Sequence, residues 1–378
     1  MEKEMEREIV METIPGQAFL DLIKLQSIKN HEPWVVQGNL DFTNCLELTS
    51  LPDNMEIQGN LMFSGCKNLT ALPNNLKVEG SLLIDKCELI TSLPSNLIVK
   101  ENLFVVDCPA ITQLSDNLEV GHLLNIESCH NFTNLPAKIK KVCYIRIIDC
   151  LGITSLPDNL KPLDVLTIKD CTNLITLPDN LYVRRLLVLS DCTGLVELPK
   201  SLNLAGSLDL EGCTGITSLP ENLNLINGYL ELSNCENLSS LPKNLEVNEW
   251  CSLNDCKRLT HLPDNLKVGE SLRLNGCLGL VSLPENLHVG ENLDLDGCIN
   301  LRTLSETMYV GNDIDLTHCI NLTSLPNILV VNGDLILDGC NKLTIIEDGV
   351  MVKGNVSKVN CFQIKTFPEG FFEDKNII

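Results

Sequence analysis

The sequence predicts an elongated solenoid of mostly short parallel strands, and three observations predict it. A cysteine recurs every 21 residues from Cys45 to Cys361, with one step of 22 between Cys213 and Cys235. Leucines stand three and five residues before most of these cysteines, and a Leu-Pro-x-Asn-Leu phrase follows most of them. A fixed period of about 20–50 residues is typical of repeat proteins, whose units bury their apolar faces only against their neighbours. The 378 residues therefore predict one array of about sixteen units.

Each unit begins with a strand. Leu272 and Leu274 alternate with polar residues before Cys277, which is the period-2 pattern of a strand with one buried face. In the phrase that follows, the proline ring fixes the φ angle of that residue. This predicts a turn and then a segment that leads back to the next strand. Because 21 residues leave little room for a helix, we expect an extended or 3₁₀ convex side.

The residue two after the proline is usually asparagine, and in the last two copies it is Gly349 and Gly370. Asparagine and glycine are the residues that most easily adopt a positive φ, so their exchange predicts a left-handed backbone there. The asparagines at this place are Asn54, Asn75, Asn96, Asn159, Asn180, Asn222, Asn244, Asn265 and Asn286.

Eighteen cysteines suggest a disulfide scaffold or a metal site, and geometry argues against both. Equivalent Cβ atoms on adjacent coils run side by side and do not point at each other, as a disulfide requires. No Cys-x-x-Cys pair of the kind used by zinc sites occurs. We expect small buried thiols that donate to backbone carbonyls. Cys143 and Cys251 lie outside the series; we expect both to pack, and their reactivity stays open.

The two ends of the sequence predict segments that cap the terminal coils of the array. Residues 17–30 place Phe19, Leu20, Ile23 and Leu25 with helical periodicity, which predicts a capping amphipathic helix. We expect Phe367, Phe371 and Phe372 to close the last coil. The predicted organisation is an N-terminal tail and capping helix at 1–36, the array at 37–366, and a C-terminal cap and tail at 367–378. The charged start lacks the apolar stretch of a secretory leader, and no transmembrane run occurs.

The phrases LxLxxC and LxxLPxxL resemble the leucine-rich repeat, over about residues 37–370. The short LPxxL unit looks most like the repeats of bacterial effectors of the YopM and IpaH type, with cysteine where those repeats carry asparagine. The phrase GCTGITSLP at 212–220 is instead similar to plant intracellular immune-receptor repeats, but no GxxxxGK[ST] motif occurs. The resemblance implies a horseshoe fold and a protein-binding role. Only a short tail follows Cys361, so the ubiquitin-ligase activity of IpaH-type proteins is not carried over.

Residues two, four and six before each cysteine are expected on the concave face. From the second to the eighth coil they form an apolar stripe, and a contiguous exposed apolar stripe usually marks a partner surface. Its members are Met62, Leu83, Phe104, Val106, Leu123, Tyr144, Ile148, Val165, Leu186 and Val188.

From the ninth coil onward the same positions turn acidic, with Arg273 as the interruption. Tyr229 and Trp250 stand at this change, each six before its cysteine, and the extra residue of the array falls at about Ile226–Asn227. Aromatic anchors beside an irregularity predict an interface hot spot, while the alternative is that they cover a joint. The acidic residues are Asp209, Glu211, Glu231, Asp294, Asp296, Asp313, Asp315, Asp334 and Asp338.

We expect a protein partner with apolar and basic patches. Stacked like charges repel in a sheet, so their retention favours a basic target, with calcium between the aspartates as a minor alternative. The net charge of −22 argues against nucleic acid and anionic membranes. The expected partner-binding residues are Met62, Phe104, Tyr144, Ile148, Tyr229, Glu231, Trp250, Arg273, Asp294, Asp296 and Asp315.

Catalysis is not expected, because the six histidines are scattered among different coils and no motif sets one beside a nucleophile. No cofactor or metal is expected, and we expect a monomer. The resemblance implies a bacterial effector that binds a host protein as scaffold or inhibitor. Reduced thiols predict a cytoplasmic protein in the producing cell, and effector delivery would take it into the host cell. The alternative is an endogenous bacterial scaffold without a host target.

Overall fold

The computed structural model describes residues 8–9, 13–25, 34–136, 138–158, 160, 163–366 and 368. The chain divides into unit 1, Met1–Arg184, and unit 2, Arg185–Ile378. Each unit is a stack of coils of about 21 residues, and parallel strands pair from one coil to the next, as Met62 with Leu83 in unit 1 and Leu293 with Ile314 in unit 2. These pairings make each unit a leucine-rich-repeat-like parallel solenoid. The predicted fold class is confirmed.

One strand of each coil lies just before the recurring cysteine, and these strands form the front sheet of each unit. In the described part of unit 1 the sheet begins with an edge strand that precedes no cysteine, β2 Thr13–Pro15. It continues with β4 Asn39–Asp41, β6 Leu61–Ser64, β8 Leu82–Asp85, β10 Leu103–Val106, β12 Leu123–Glu127, β13 Tyr144–Ile148 and β14 Leu163–Lys169. The strand β15 Tyr182–Val188 leads into unit 2, whose front strands are β17 Ser207–Asp209, β19 Leu230–Glu231, β21 Cys251–Ser252, β23 Leu272–Arg273, β25 Leu293–Asp294, β27 Ile314–Asp315, β29 Leu335–Ile336 and β31 Val356–Ser357.

A second, shorter strand lies on the return path of many coils. In unit 1 these are β1 Glu8–Ile9, β3 Trp34–Val36, β5 Met55–Ile57, β7 Lys77–Val78, β9 Ile98–Val99 and β11 Glu119–Val120. In unit 2 they are β16 Asn203–Leu204, β18 Leu225–Ile226, β20 Glu246–Val247, β22 Lys267–Val268, β24 His288–Val289, β26 Tyr309–Val310, β28 Ile328–Val331 and β30 Gly349–Val352. The rest of each described coil is turns, bends, isolated bridges and extended chain, as expected for units of this length.

The helix α1, Gly16–Leu25, follows the edge strand β2, which pairs with β4. Gly16 is required at its start because a Cβ there would meet the ring and backbone of Phe42. Phe19 is fully buried and packs edge-on against Trp34 and Phe42, at ring-centroid distances of 6.0 and 6.1 Å. Leu20 is also buried. An aromatic cluster therefore covers the first coil.

Several predicted cap residues lie outside the described part of the chain. They are the side chains of Ile23 and Leu25, residues 26–30, and Phe367, Phe371 and Phe372.

The residue directly before every cysteine of the 21-residue series has a positive φ, between 48° and 75°. Only glycine adopts this region freely, and asparagine and aspartate tolerate it. These three types fill thirteen of the sixteen places, and the exceptions are Lys86, Ser128 and His318. The left-handed residue ends the front strand and turns the chain, which explains a compositional bias that the sequence analysis did not use.

The expected positive φ two residues after the proline is present in only some coils. Asn54, Asn75, Asn96, Asn244, Asn265 and Asn286 have it. Asn180, Asn222 and Gly349 do not, and Asn159 and Gly370 lie outside the described residues.

A different turn explains the coils that depart from the expectation. The amide of Leu223 donates to the carbonyl of Pro220 at 2.9 Å, and that of Val350 donates to Glu347 at 3.1 Å. This i→i+3 bond closes a turn whose third residue keeps a negative φ. Gly349 is needed for another reason, since a Cβ there would meet the carbonyl oxygen of Asn327.

The core of each unit is a set of rows that repeat from coil to coil. The residues three and five before each cysteine are apolar, mostly leucine, and buried, except that the half-buried Lys358 stands three before Cys361; the recurring cysteines are buried as well. The Sγ of Cys213 donates to the carbonyl of Leu189 at 2.9 Å, and that of Cys277 donates to Leu253 at 3.0 Å. We call this row the thiol ladder, because most of its S–H groups, from Cys66 to Cys361, bond one coil to the previous one.

The carbonyl that accepts each thiol also serves its own coil. The oxygen of Leu210 accepts from the Cys213 amide at 3.0 Å and from the Cys235 thiol at 3.1 Å. Both lone pairs of a buried carbonyl are thereby satisfied. The ladder thus supports the backbone and offers no exposed nucleophile. Cys251 is also fully buried, whereas Cys143 is half-buried.

The extra residue of the 22-residue step lies earlier than the sequence suggested. Leu202 and Leu223 are equivalent at a spacing of 21, but the buried Leu204 and Ile226 are equivalent at 22. The insertion is therefore at Asn224–Leu225 on the return path, and not at Ile226–Asn227. The extra residue is accommodated at the surface, where Leu225 is 47% exposed. The buried rows on either side of it therefore keep their register.

Candidate protein-binding surface

The front face consists of the residues two, four and six before each cysteine of the thiol ladder. They alternate with the buried leucines along each front strand, and most are half-buried. Adjacent front strands are paired, so equivalent side chains of successive coils stand side by side. Parallel strands are about 4.8 Å apart, which leaves little of each side chain uncovered.

The apolar stripe of unit 1 changes row along the sheet. Met62 stands beside Leu83, and Leu83 beside Phe104, four residues before their cysteines. The next coil has the buried Asn125 at that place, and the stripe moves to Leu123, which is in register with Tyr144. These side chains are half-buried, so less of the stripe is exposed than the sequence analysis expected.

Charged residues interrupt the stripe near its middle. Arg146 is exposed between the rows, with Nη1 3.4 Å from Asn125 Oδ1 and 3.8 Å from Glu127 Oε2. Ile148 is half-buried beyond it, two residues before its cysteine. Arg146 and Glu127 therefore form an ion pair within the front face of unit 1.

The front face of unit 2 carries an aromatic ridge, formed by Tyr229 and Trp250. Their rings are stacked, with centroids 4.5 Å apart and planes 4° apart. The guanidinium of Arg273 lies over the Trp250 ring, 5.6 Å from its centroid. Small residues, Ser207 and Ser271, occupy the same row on the coils at either side. The ridge stands out from its neighbours for that reason.

Two buried serines lie on the same coils as the aromatic ridge. Ser233 and Ser252 are buried, and their Oγ atoms are 2.7 Å apart. The amide of Ser233 donates to Glu231 Oε1 at 2.7 Å. Burial raises the pKa of Glu231, with the charges of Asp209 and Glu211 adding to the rise. Burial also raises the pKa of the Tyr229 phenol, followed by the charges of Asp209, Glu231 and Glu249.

The predicted aspartates lie in register on neighbouring front strands. Asp294 is paired with Asp315, and the amide two residues on donates to each carboxylate, at 3.1 Å from Asp296 and 2.8 Å from Thr317. Asp313 accepts the amide of Asp334 from the next coil at 2.7 Å. Aspartate therefore has a structural use on this face, which offsets part of the repulsion between like charges. These aspartates therefore contribute hydrogen bonds to the backbone as well as the repulsion expected from the sequence.

His318 has a partner that the sequence analysis missed. Its Nδ1 lies 2.9 Å from Asp296 Oδ1, and both side chains are exposed. The two residues are 22 apart, which the 21-residue period places one position off register on adjacent coils. That spacing was the available signal.

The main acidic side chains of this face have no cationic neighbour. Within the described part of the chain, no lysine or arginine forms an ion pair with Asp209, Glu211, Glu231, Asp294, Asp313 or Asp315. Among the described residues no group of three or more His, Cys, Asp or Glu side chains could hold a metal ion. The described helix is too short to cross a membrane.

The histidines in the described part of the chain are dispersed. His130 Nδ1 lies 3.0 Å from the carbonyl oxygen of Asp149, His261 Nδ1 lies 3.0 Å from Thr260 Oγ1, and the ring of His288 stacks on Tyr309 at a centroid distance of 4.7 Å. His122 is exposed, and His31 lies outside the described residues. Each described ring contact joins a different pair of residues, so the contacts do not assemble one candidate catalytic site.

Comparison with known proteins adds a structural likeness. No protein-family model matches the sequence, and no curated protein matches it. Among solved structures the chain is similar to YopM from Yersinia enterocolitica WA-314, with 20% identity over 90% of this chain and 91% of that chain, at a TM-score of 0.19. A TM-score of this size does not establish a shared fold. The fold is assigned from the repeats and strand pairings described above.

Proposed function

We propose that this chain is a non-enzymatic protein-interaction module that binds its partner through the front face of unit 2. The observation that carries the proposal is the aromatic ridge of Tyr229 and Trp250. Stacked, half-buried aromatic rings surrounded by small residues are typical of the anchors that dominate binding energy at interfaces. The rim of the ridge is acidic, so the partner would bring apolar and basic groups together.

The alternative that the ridge only covers a joint is less well supported. The extra residue of the array lies at Asn224–Leu225 on the return path, whereas the ridge lies on the front face. Leu225 is exposed, so the ring pair does not shield it. The front strands at the ridge also keep their register, with Leu208 beside Leu230 and Leu230 beside Cys251. The fold therefore has no defect on this face that the rings would repair.

We further propose that the protein is a bacterial effector, delivered into a host cell, where it acts as a monomeric scaffold or inhibitor. This proposal depends on the resemblance of the LPxxL repeats to those of effectors. An endogenous bacterial scaffold is the competing proposal. A fusion to a reporter that is active only in host cytosol separates the two, since signal from infected host cells is expected only for an effector.

The test of the binding surface is capture of host proteins by three immobilised forms of the chain. We expect Trp250→Ala to lose at least about tenfold of the captured protein, because truncation of a hot-spot aromatic typically costs 2 kcal/mol or more. The matched control is Tyr309→Ala, which removes an aromatic that is 51% exposed in β26 of the same unit. It is expected to capture as wild type does.

Both variants need the thermal midpoint of wild type within a few degrees for the comparison to count. Equal capture by wild type and Trp250→Ala would show that the ridge is not the binding surface. Equal loss in both variants would show that capture is not specific to the front face.

A further inference from the structure

We infer that the partner of unit 2 presents two basic clusters that straddle the aromatic ridge, one on each side. This inference depends on the proposed binding function and names the chemistry of the partner. It follows from how the carboxylates are distributed along the front face. They form two groups with a gap between them.

The first group, the near ledge, is Asp209, Glu211 and Glu231 on the ninth and tenth coils. Asp209 is in register with Glu231, and Glu211 is exposed beside them. The Asp209 carboxylate accepts the Glu211 amide at 3.0 Å and the Ser190 hydroxyl at 3.1 Å. These bonds orient the carboxylate but supply no positive charge.

The second group, the far ledge, begins at Asp294 on the thirteenth coil and continues on the two coils after it. Like charges in register on adjacent strands repel one another, so a bound cation that bridges them would be stabilised. Asp296 is the member that already has the His318 ring beside it. The far ledge is Asp294, Asp296, Asp313, Asp315, Asp334 and Asp338.

At the three front-face positions the coils between the ledges carry no acidic side chain, although the exposed Glu249 and the half-buried Glu270 each lie one residue before the first of these positions. They present Trp250, Ser252 and Asn254, then Ser271, Arg273 and Asn275. Arg273 would repel a basic segment laid across this centre, whereas apolar or planar groups can contact the ridge. One continuous basic run therefore fits the face less well than two clusters with a neutral stretch between them.

The repeat sets the spacing that the partner must match. Three coil steps separate the facing edges of the two ledges, or about 14 Å at ~4.8 Å per strand. That exceeds the Debye length of about 8 Å at physiological salt, so the two ledges attract separate clusters. An extended peptide spans about 3.3 Å per residue, so the neutral stretch would be about four residues between the facing edges and up to about seven between the centres.

The test uses synthetic peptides with two Lys-Arg-Lys triplets joined by Gly-Ser spacers of 0, 2, 4, 6, 8 and 12 residues, and a single triplet. Binding to the full chain is measured by fluorescence anisotropy at physiological salt. We expect an affinity maximum at spacers of four to six residues, at least about tenfold above the single triplet, because the second contact becomes intramolecular.

Three paired substitutions assign the effect to the ledges. Asp209→Asn with Glu211→Gln, and Asp294→Asn with Asp315→Asn, are each expected to reduce the best peptide to the affinity of the single triplet. Asparagine keeps an oxygen that accepts the same amide, so the fold is preserved. Glu197→Gln with Glu347→Gln removes the same charge from exposed positions away from the front face and is expected to change nothing.

Affinity that rises with peptide charge but ignores the spacer would overturn the inference, as would an equal loss in the control pair. Absence of binding by every peptide would overturn it too. The proposed function fails separately: Trp250-dependent capture with no spacer optimum leaves the surface standing and removes only the two-cluster partner.

Discussion

The interior of the coils and their front face differ in how far they repeat. The thiol ladder and its apolar rows recur in both units, although the distance from Sγ to the carbonyl of the previous coil is 3.7 Å at Cys108 in unit 1 and 2.9 Å at Cys213 in unit 2. The front face on the same strands changes from a half-buried apolar stripe in unit 1 to a ridge between carboxylates in unit 2. Uniform rows define the fold, and the rows that vary are free to specify a partner.

The difference also concerns charge. On unit 1 the exposed Arg146 lies between Asn125 and Glu127, although Asp41 and Asp85 of the same face accept amide and hydroxyl hydrogens. On unit 2 the carboxylates near the ridge accept backbone amides and have no cation beside them. A face that holds its charges in place without neutralising them has binding energy available for a basic partner. This is the physical basis of the two proposals.

Raising the pH should destabilise the buried core while leaving the charge of the front-face carboxylates unchanged. We expect this to be the largest change in stability among the predictions. Burial raises the pKa of Cys129 and Cys171 to about 11 and that of Cys235, Cys277 and Cys340 to about 12, from about 9. Unfolded thiols ionise first, so the stabilisation is complete below pH 9 and is lost as the pH rises through 11 to 12. Each such thiol lowers the free energy of unfolding by up to about 1.4 kcal/mol per pH unit in this range.

The measurement is denaturant unfolding under reducing conditions at pH 8, 9 and 10. We expect the free energy of unfolding to fall from pH 9 to pH 10, and the fall to be smaller in Cys277→Ala. A free energy that stays flat to pH 10 would mean that the thiols ionise as easily in the native state as in the unfolded state.

Two adjacent residues of the tenth coil allow the core and the front face to be compared directly. Leu230 is fully buried, and Leu230→Ala should cost about 3 kcal/mol because it leaves a cavity in the core. Tyr229→Ala removes a larger side chain from the front face but should cost only about 1 kcal/mol, mainly the stacking on Trp250. Chemical denaturation measures both. A larger loss from Tyr229→Ala than from Leu230→Ala would make the ridge part of the structural core.

Much of the fold could be predicted from the sequence because the period fixes the register. The cysteine spacing places Tyr229 beside Trp250 and Asp294 beside Asp315, and the alternating leucines show which residues point inward. The turn before each cysteine was missed although its Asn, Asp and Gly bias was present. The turn after the proline has two forms that the same Pro-x-Asn phrase can adopt, so sequence alone did not separate them.

The geometry of the candidate surface was less accessible. That Arg273 lies over Trp250 depends on side-chain rotamers, which spacing does not determine. The half-burial of the apolar stripe follows from neighbouring coils covering one another. The use of carboxylates as acceptors for backbone amides depends on local backbone direction, so acidic residues in the sequence looked like charge alone.

The most direct test of the central claim compares the two tryptophans of the chain within one sample. Trp34 is 6% exposed in the first coil, and Trp250 stands on the ridge. With both labelled as 5-fluorotryptophan and assigned through Trp34→Phe, ¹⁹F NMR reports each site separately while the captured partner is added. We expect the Trp250 resonance to shift or broaden as the complex forms and that of Trp34 to stay in place. An unchanged Trp250 resonance in a saturated complex would contradict the assignment of the front face of unit 2 as the binding surface.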